Sequence, residues 1–171
     1  MKKNDTRQLV EIAFLIAISV VLYMVEFPII PGTPLQIDFS DLPVIVAAYT
    51  LGFIPAVFVA LFKNILHIFF VTRNAGIAGE IANFAYALFI ALPVIYFKKQ
   101  KKYRYLVYTV VFAAIAMHFF NAWVTFPLYG MPSEGKHQML ITMFLPFNLV
   151  KGALLYLIFA LIRPYLDRLR P

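Results

Sequence analysis

Long runs of apolar residues, separated by short polar or proline-rich segments, dominate this chain. Because roughly 17 to 25 apolar residues span a bilayer as a helix, five of the six runs are long enough to cross one. The second run is short, and we interpret it either as a tilted, partial span or as part of one kinked helix with the third. The pattern predicts an all-α membrane protein that forms a single domain, 1–171. The runs cover approximately residues 9–25, 43–51, 53–71, 76–97, 105–126 and 138–162.

Composition supports this prediction and excludes several classes of protein. Hydrophobic residues make up 63% of the chain and charged residues 13%, whereas soluble domains have about 45–50% and about 25%. The absence of cysteine excludes disulfides, thiolate metal sites and a cysteine nucleophile. The first apolar run exceeds a typical signal-peptide core and is followed by no A-x-A-like cleavage site, so we expect it to be retained as a helix.

The positions of the basic residues predict the topology. Of 15 Lys and Arg residues, 11 lie before the first run, between the fourth and fifth, or after the last. Six transmembrane helices place all 11 on one side of the membrane, whereas five would split them. The positive-inside rule then makes both termini cytoplasmic and leaves a long outer loop between helices 1 and 2. The net charge of +7 thus indicates orientation in the bilayer, with no need for a nucleic acid partner.

Two lysines remain inside apolar runs and are candidate site residues. A charge within the bilayer costs from about 2.5 to more than 10 kcal/mol, so Lys63 and Lys151 need a partner, a cavity or an interface. Asn148 lies three positions before Lys151 and therefore shares its helix face, which favours a ligand site. Lys63 and His67 form either a second polar wall or a helix contact. Other polar residues within the runs are pocket candidates or helix bridges: Glu80, Asn83, His118 and Asn121.

The outer segment 27–43 has the composition of a stiff lid, with four prolines and a glycine. Its alternation predicts that Leu35, Ile37 and Phe39 pack inward over the bundle while the residues between them present polar groups. Ser40 or Asp41 is a candidate cap for a helix that starts at Pro43. We interpret the acidic residues of the outer side as surface or capping groups: Glu26, Asp38, Asp41 and Glu134.

The sequence predicts no enzyme activity. Segment 130–137 fits the phosphate-loop pattern G-x-x-x-x-G-K, but His137 stands where Ser or Thr would bind magnesium, and no strand precedes it. The three histidines are scattered, and no nucleophile motif or carboxylate pair is present. We therefore expect no cofactor and no metal, and we expect any ATP hydrolysis to come from a partner.

Three motifs, in order along the chain, carry a resemblance to a known family. Segments 37–43 (IDFSDLP), 126–131 (FPLYGM) and 146–152 (PFNLVKG) resemble the riboflavin-specific substrate-binding S components of energy-coupling-factor (ECF) vitamin transporters. The resemblance implies a non-catalytic subunit in the prokaryotic plasma membrane that captures riboflavin, or riboflavin and FMN, from outside. It also implies two kinds of partner, a membrane-embedded coupling subunit and two cytoplasmic ATPases.

The resemblance also implies roles for particular residues. Asn121, Asn148 and Lys151 would hydrogen-bond the polar edge of the isoalloxazine ring. Ala13 and Ala17, which form a small-xxx-small stripe on the first helix, would contact the coupling subunit. The residues that would close over the ligand are Pro34, Leu35, Gln36, Ile37, Asp38, Gly130 and Met131.

Two alternatives stay open at this point. The same architecture could bind a different vitamin, such as pantothenate. A membrane scaffold or small channel, with polar residues that only join helices, would also fit the hydrophobic pattern and predicts no saturable binding of a small molecule.

Overall fold

The computed structural model describes residues 3–29, 33, 35–70, 76–97, 104–131 and 134–169. Within these ranges the chain forms six helical elements and one short hairpin. The elements are α1 (Lys3–Tyr23), β1 (Phe27–Pro28), β2 (Gln36–Ile37), α2 (Asp41–Thr50), α3 (Phe53–Phe70), α4 (Gly76–Phe97), α5 (Arg104–Phe120, continued by Asn121–Thr125 and Phe126–Leu128) and α6 (Lys136–Met139, continued by Leu140–Phe144 and Leu145–Leu169). The mostly helical, apolar fold predicted from the sequence is confirmed.

The helices differ in whether they could cross a membrane alone. Five of the described helices are apolar and at least 18 residues long, with mean hydropathy between 1.6 and 1.9. The sixth, α2, has 10 residues and is therefore about 15 Å long. It ends at Gly52, whose positive φ of 108° allows its N–H to reach back to the Ala47 carbonyl at 3.0 Å. The short second run is thus a separate helix from α3.

Several helix ends differ from those predicted. α1 starts six residues earlier than its apolar run, because helical geometry continues through polar residues. α6 extends seven residues beyond the predicted end at 162 and contains Pro164. Tyr49 donates a hydrogen bond to Asp167, which ties this extension to α2. The hydrophobic pattern does not reveal that a helix extends through polar residues beyond its apolar run.

Two π-helical segments interrupt the last two long helices. Asn121–Thr125 lies within α5 and Leu140–Phe144 within α6. A π-helical turn shifts the hydrogen-bond register by one residue, and such turns are frequent at functional sites. Both segments lie at the same end of the bundle as the C-terminal end of α1 and the hairpin.

Small residues let the helices approach closely. Alanines from α2, α3 and α4 form one buried cluster, to which α1 adds partly buried apolar side chains. A second cluster joins α2, α4, α5 and α6 through larger residues such as Tyr49, Ile90 and Phe159. At Gly152 in α6, a Cβ would lie 3.0 Å from the Tyr86 hydroxyl and 3.1 Å from Val110. A larger residue here would require Tyr86 or Val110 to shift by a few tenths of an ångström, so glycine favours the close contact of α6 with α4 and α5.

The short hairpin lies between α1 and α2. β1 and β2 pair antiparallel, with Phe27 opposite Ile37 and Pro28 opposite Gln36. Ser19 of α1 donates a hydrogen bond to the backbone oxygen of Ser40, so the end of α1 contacts the start of α2. The segment predicted to be a lid thus covers the end of the bundle where the π-helical segments lie.

Candidate functional site

A cavity opens beneath the hairpin, at the end of the bundle that the π-helical segments shape. Its empty space is about 580 Å³, including the part open to solvent. Its lining combines polar groups with aromatic and sulfur-containing side chains. The residues that line it are Tyr23, Glu26, Leu35, Gln36, Asp38, Gly79, Ala82, Asn83, Tyr86, Met117, Asn121, Thr125, Tyr129, Phe144, Phe147, Asn148 and Lys151.

The structure brings together the three residues predicted to contact a ligand. Asn121 comes from the π-helical part of α5, and Asn148 and Lys151 come from one face of α6. All three side chains are buried and line the cavity. The three-residue spacing of Asn148 and Lys151 therefore places both at the same pocket, as the helical pattern predicts.

The predicted lid residues occupy different positions. Leu35, Gln36 and Asp38 line the cavity. Ile37 is buried but is not a lining residue. Pro34 lies outside the described residues.

The second predicted closing segment lies beside the cavity and does not line it. Gly130 is exposed and forms a turn with a φ of 62°. Met131 packs against an apolar cluster that joins the hairpin to α5 and α6. We call this cluster the apolar latch, and its buried members are Leu35, Phe126, Leu140 and Phe144.

Two buried polar atoms at the cavity have no hydrogen-bond partner among the described residues. They are the side-chain nitrogen Nδ2 of Asn148 and the hydroxyl Oγ1 of Thr125. Buried polar groups are almost always hydrogen-bonded, so unsatisfied ones facing a cavity indicate that a ligand or water completes them. The Tyr86 hydroxyl donates to the backbone oxygen of Asn148 at 2.9 Å, which holds this residue at the cavity wall.

A buried group of charged and polar side chains joins the end of the hairpin to four helices, α2, α3, α4 and α6. We call it the ionic hub, and its members are Asp38, Ser40, Asp41, Lys63, Asn83 and Lys151. The Lys63 ammonium contacts the Asp41 carboxylate and donates to Ser40 Oγ at 2.6 Å and to Asn83 Oδ1 at 2.7 Å. Lys63 is 0% exposed and does not line the cavity.

Lys151 completes the ionic hub from the cavity side. Its ammonium donates to Asp38 Oδ2 at 2.9 Å and forms an ion pair with Asp41 Oδ2 at 3.0 Å. An ammonium has three N–H donors, so these two contacts leave one for a ligand. The two lysines and two aspartates balance in charge, as buried ions must.

The interpretation of Asp38 and Asp41 as surface or capping groups is wrong. They are 2% and 0% exposed, because the buried lysines require carboxylates as counter-ions. α2 begins at Asp41 rather than Pro43, and Ser40 makes no side-chain capping hydrogen bond. Instead, Ser40 Oγ accepts a hydrogen bond from Lys63 and donates one to Asp38. Polar residues of the lid therefore point inward together with Leu35 and Ile37.

The electrostatics of the hub keep Asp38 ionised. Burial alone would raise the pKa of this carboxyl, but the nearby ammoniums of Lys151 and Lys63 and the hydrogen bond from Ser40 lower it to about 2. Asp38 is therefore negatively charged at neutral pH and in mild acid.

A second polar cluster lies beside the hub and involves His67. The rings of Tyr23 and His67 stack with centroids 3.6 Å apart. His67 Nδ1 lies 2.7 Å from Glu80 Oε1, and the Tyr23 hydroxyl donates to Glu80 Oε2 at 3.2 Å. The Lys63 ammonium lies 5.0 Å from the Tyr23 ring centroid. The shared face of Lys63 and His67 is thus a polar wall that joins α1, α3 and α4.

Several site residues carry no distinctive signal in the sequence. Tyr86 and Thr125 look like ordinary members of apolar helices, and Asp41 looks like a helix-capping residue. A cue for the aspartates exists in the two buried lysines, which need two counter-ions. Within the described ranges, no three His, Asp or Glu side chains converge as a metal site would require.

Ala13 and Ala17 lie on an exposed face of α1. Large apolar side chains are exposed on the same helix, including Val10, Phe14 and Val21. The described residues therefore leave this small-residue stripe uncovered.

Comparisons with known proteins agree with the fold. The family model described as the substrate-specific component of ECF transporters matches residues 7–163. The chain is 31% identical to the riboflavin transporter RibU of Staphylococcus aureus (strain TCH60), over 95% of this chain and 91% of that protein. It is 30% identical to the riboflavin transporter FmnP of Bacillus subtilis (strain 168), over 96% of each.

A solved structure described as the S component of a bacterial ECF transporter has the same fold. It superimposes with a TM-score of 0.79 at 30% sequence identity, over 96% of this chain and 97% of that one. The family predicted from the three motifs is thereby confirmed, and the chain belongs to the substrate-specific S components of the ECF transporters.

Proposed function

We propose that this chain is the riboflavin-binding subunit of an ATP-driven vitamin transporter in the prokaryotic plasma membrane. The subunit itself is not an enzyme, and ATP is hydrolysed by two cytoplasmic ATPases that act through a membrane-embedded coupling subunit. The observation that carries the proposal is the cavity under the hairpin, whose lining combines unsatisfied buried polar atoms with aromatic side chains. Relatives that are named riboflavin transporters support the choice of vitamin.

The chemistry of the cavity suits a flavin. An isoalloxazine ring combines a broad aromatic face with a polar edge of carbonyl and N–H groups. Asn148 Nδ2 and the remaining N–H of Lys151 can donate to the carbonyls, and the Asn121 amide can donate or accept. Met117, Phe144 and Phe147 provide an apolar surface for the ring. Such a site binds a largely uncharged, planar ligand and releases ordered water.

The orientation in the membrane follows from charge and from the position of the cavity. Helix ends that contact each other at the cavity are the end of α1, the start of α2, the end of α3 and the start of α4. The basic segments 2–7 and 98–104, which are predicted to be cytoplasmic, lie at the opposite ends of α1 and α4. In our proposal the cavity therefore opens to the outside, and both termini are cytoplasmic.

The exposed stripe of Ala13 and Ala17 is proposed as the contact with the coupling subunit. Small residues allow two helix backbones to approach closely within a bilayer, where packing drives association. The stripe is exposed in the isolated chain, as a surface for a partner helix must be.

Two measurements test the proposal: the absorption spectrum of the purified protein, which would show co-purified flavin, and the riboflavin affinity of a matched pair of asparagine variants. Purified protein should quench the fluorescence of added riboflavin at a stoichiometry of one, and pantothenate should not compete. Asn148→Ala should weaken riboflavin binding about tenfold or more, because a ligand hydrogen bond is lost while no protein hydrogen bond from Nδ2 is broken. Asn64→Ala is the control, since Asn64 is also buried but its Nδ2 donates to the Ala60 carbonyl away from the cavity.

Three outcomes would contradict the proposal. Protein that is colourless and also leaves added riboflavin unquenched would exclude this ligand. Competition by another vitamin would favour an S component of different specificity. A complete lack of saturable binding, without co-purifying ATPases, would favour a scaffold.

A further inference from the structure

A groove on the surface of the bundle lies between α5 and the start of α6. It holds about 690 Å³ of empty space, including the part open to its surroundings. Asn121 and Thr125 of the π-helical segment in α5 line the cavity beneath the hairpin, whereas Trp123 of the same segment lines this groove. The two sites share no lining residue, so the groove is separate from the cavity.

Basic and aromatic side chains meet in this groove. Phe119 and Trp123 are exposed on a helix that is apolar and long enough to cross a membrane. Tryptophan is enriched where the acyl chains of a bilayer meet the headgroups. The basic residues are Lys136 and His137 at the start of α6, together with His118 of α5. The groove thus offers apolar surface next to polar, basic groups, and a phospholipid has the complementary two parts.

The Lys136 ammonium has aromatic rings rather than a carboxylate as neighbours. Its Nζ lies 6.0 Å from the centroid of the Trp123 ring and 5.9 Å from that of the Phe126 ring. Glu134, the carboxylate nearest to it along the chain, does not line the groove. In the part of the chain that the structure describes, no carboxylate forms an ion pair with Lys136. Its charge and its N–H donors are therefore available to an anion.

His118 supplies an unsatisfied polar atom in the same groove. Its Nδ1 is buried and has no hydrogen-bond partner among the described residues. Buried polar atoms are almost always paired, and the hydrocarbon region of a bilayer offers no water for this purpose. A phosphodiester oxygen accepts a hydrogen bond from this nitrogen when the nitrogen carries the proton, and a headgroup hydroxyl donates to it when it does not.

We propose that this groove binds the phosphodiester headgroup of an anionic phospholipid, with Lys136 as the main cationic contact. Basic pockets between membrane helices bind anionic headgroups in this way. A lipid fits better than a soluble phosphate, because Phe119 and Trp123 extend the site with apolar surface that acyl chains can cover. The site does not depend on the flavin. In the orientation proposed above, it faces the outer leaflet.

The experiment uses a reporter that the chain already carries. Trp123 is its one tryptophan and lines the groove, and bromine atoms on acyl chains quench tryptophan fluorescence on contact. The protein is reconstituted in phosphatidylcholine with dibrominated chains, and unbrominated phosphatidylglycerol or unbrominated phosphatidylcholine replaces a rising fraction of this lipid. Each signal is divided by that of the same protein in wholly unbrominated lipid, so that quenching by bound flavin cancels. The recovery of fluorescence gives the affinity for phosphatidylglycerol relative to phosphatidylcholine.

We expect a preference of about threefold or more for phosphatidylglycerol. Lys136→Met keeps the apolar stem but removes the charge, so it should abolish the preference, and Lys136→Arg should retain it. His118→Phe should reduce the preference by about twofold. Arg168→Met is the matched control, because its guanidinium also lies over an aromatic ring, that of Tyr165 at 5.9 Å, near the other end of α6. It removes one positive charge and should leave the preference unchanged. Helical circular dichroism checks that each variant is folded.

Several results would overturn the proposal, and none of them involves riboflavin, so the proposed function stands or fails separately. Equal affinity for the two lipids in the unaltered chain refutes the site. A preference that persists in Lys136→Met, or that falls equally in Arg168→Met, refutes the groove as its origin. An unchanged preference in His118→Phe refutes the role of the imidazole. Soluble glycerol phosphate at millimolar concentration should not displace phosphatidylglycerol; if it does, the groove binds a soluble phosphate and the lipid is the wrong ligand.

Discussion

The lid segment is held to the bundle at two places that differ in chemistry. At the ionic hub, Asp38, Ser40 and Asp41 contact Lys63 and Lys151 through ion pairs and hydrogen bonds. At the apolar latch, Leu35 packs against Phe126, Leu140 and Phe144. Only Gln36 and Ile37 separate Leu35 from Asp38, so the two attachments lie close along the chain.

The difference between the two attachments indicates which one opens. Separation of the hub would leave four charges without partners in a poorly polar surrounding, and breaking a buried pair typically costs about 3–5 kcal/mol. Apolar contacts at the latch do not depend on a particular orientation of the side chains, so they can be exchanged for others when the lid moves. Met131, Met139 and Met143, which surround the latch, are flexible side chains that can repack. We therefore expect the lid to stay anchored at the hub and to admit ligand by movement at the latch.

Removal of Lys63 should have the largest effect on stability. Lys63→Met leaves Asp41 with Lys151 as its remaining ion-pair partner in the hub and leaves the hub with excess negative charge. We expect the free energy of unfolding to fall by about 3–5 kcal/mol. Denaturant-induced unfolding in detergent micelles, followed by helical circular dichroism, measures this loss.

A double variant provides the control for Lys63. Lys63→Met with Asp41→Asn restores the charge balance, so it should recover a large part of the lost stability. If the single variant loses less than about 1 kcal/mol, or the double variant is no better than the single one, the hub is not the rigid anchor.

The pH dependence of stability should reveal the contribution of Asp38. Its pKa in the folded protein is lowered to about 2, whereas an unfolded aspartate titrates near 3.9. The stabilisation is therefore complete above about pH 5 and is lost as the pH falls through about 2, with a size of about 2–3 kcal/mol. Parallel unfolding curves for the unaltered chain and Asp38→Asn isolate it, because their other carboxylates are the same.

The difference in stability between these two proteins should shrink steadily from pH 4 to pH 2. A difference that stays constant over this range would mean that the Asp38 charge contributes little. Such a result would also weaken the contrast between hub and latch.

Local patterns in the sequence correctly predicted the site residues whose position follows from helical spacing alone. A lysine in an apolar run is costly wherever the helix packs, so Lys151 stands out, and Asn148 follows because three positions bring it to the same helix face. Both line the cavity. The runs of apolar residues likewise predicted helices, although they missed the polar extension of α6.

Partners that come from distant segments could not be predicted in this way. In the sequence Asp41 stands just before the helix predicted to start at Pro43, and capping explains it locally; only the fold brings Lys63 beside it. Thr125 lines the cavity from a π-helical segment, and a shift of hydrogen-bond register leaves no hydrophobic pattern. The inward direction of Asp38 also breaks the alternation expected of a half-buried strand.

Weakening the latch should give the smallest effect and the most specific one. Leu35→Ala removes buried apolar contacts with Phe126 and Phe144, so the closed lid loses stability while the hub remains intact. We expect riboflavin to dissociate about tenfold faster, because part of the free energy that a Leu→Ala substitution usually removes is here lost from the closed lid. The free energy of unfolding of the bundle should change little. Stopped-flow fluorescence measures the release, and Leu128→Ala, which truncates an exposed leucine, is the matched control. If Leu35→Ala leaves the dissociation rate unchanged while a hub variant accelerates it, ligand leaves through the hub side, and the assignment of the moving attachment must be reversed.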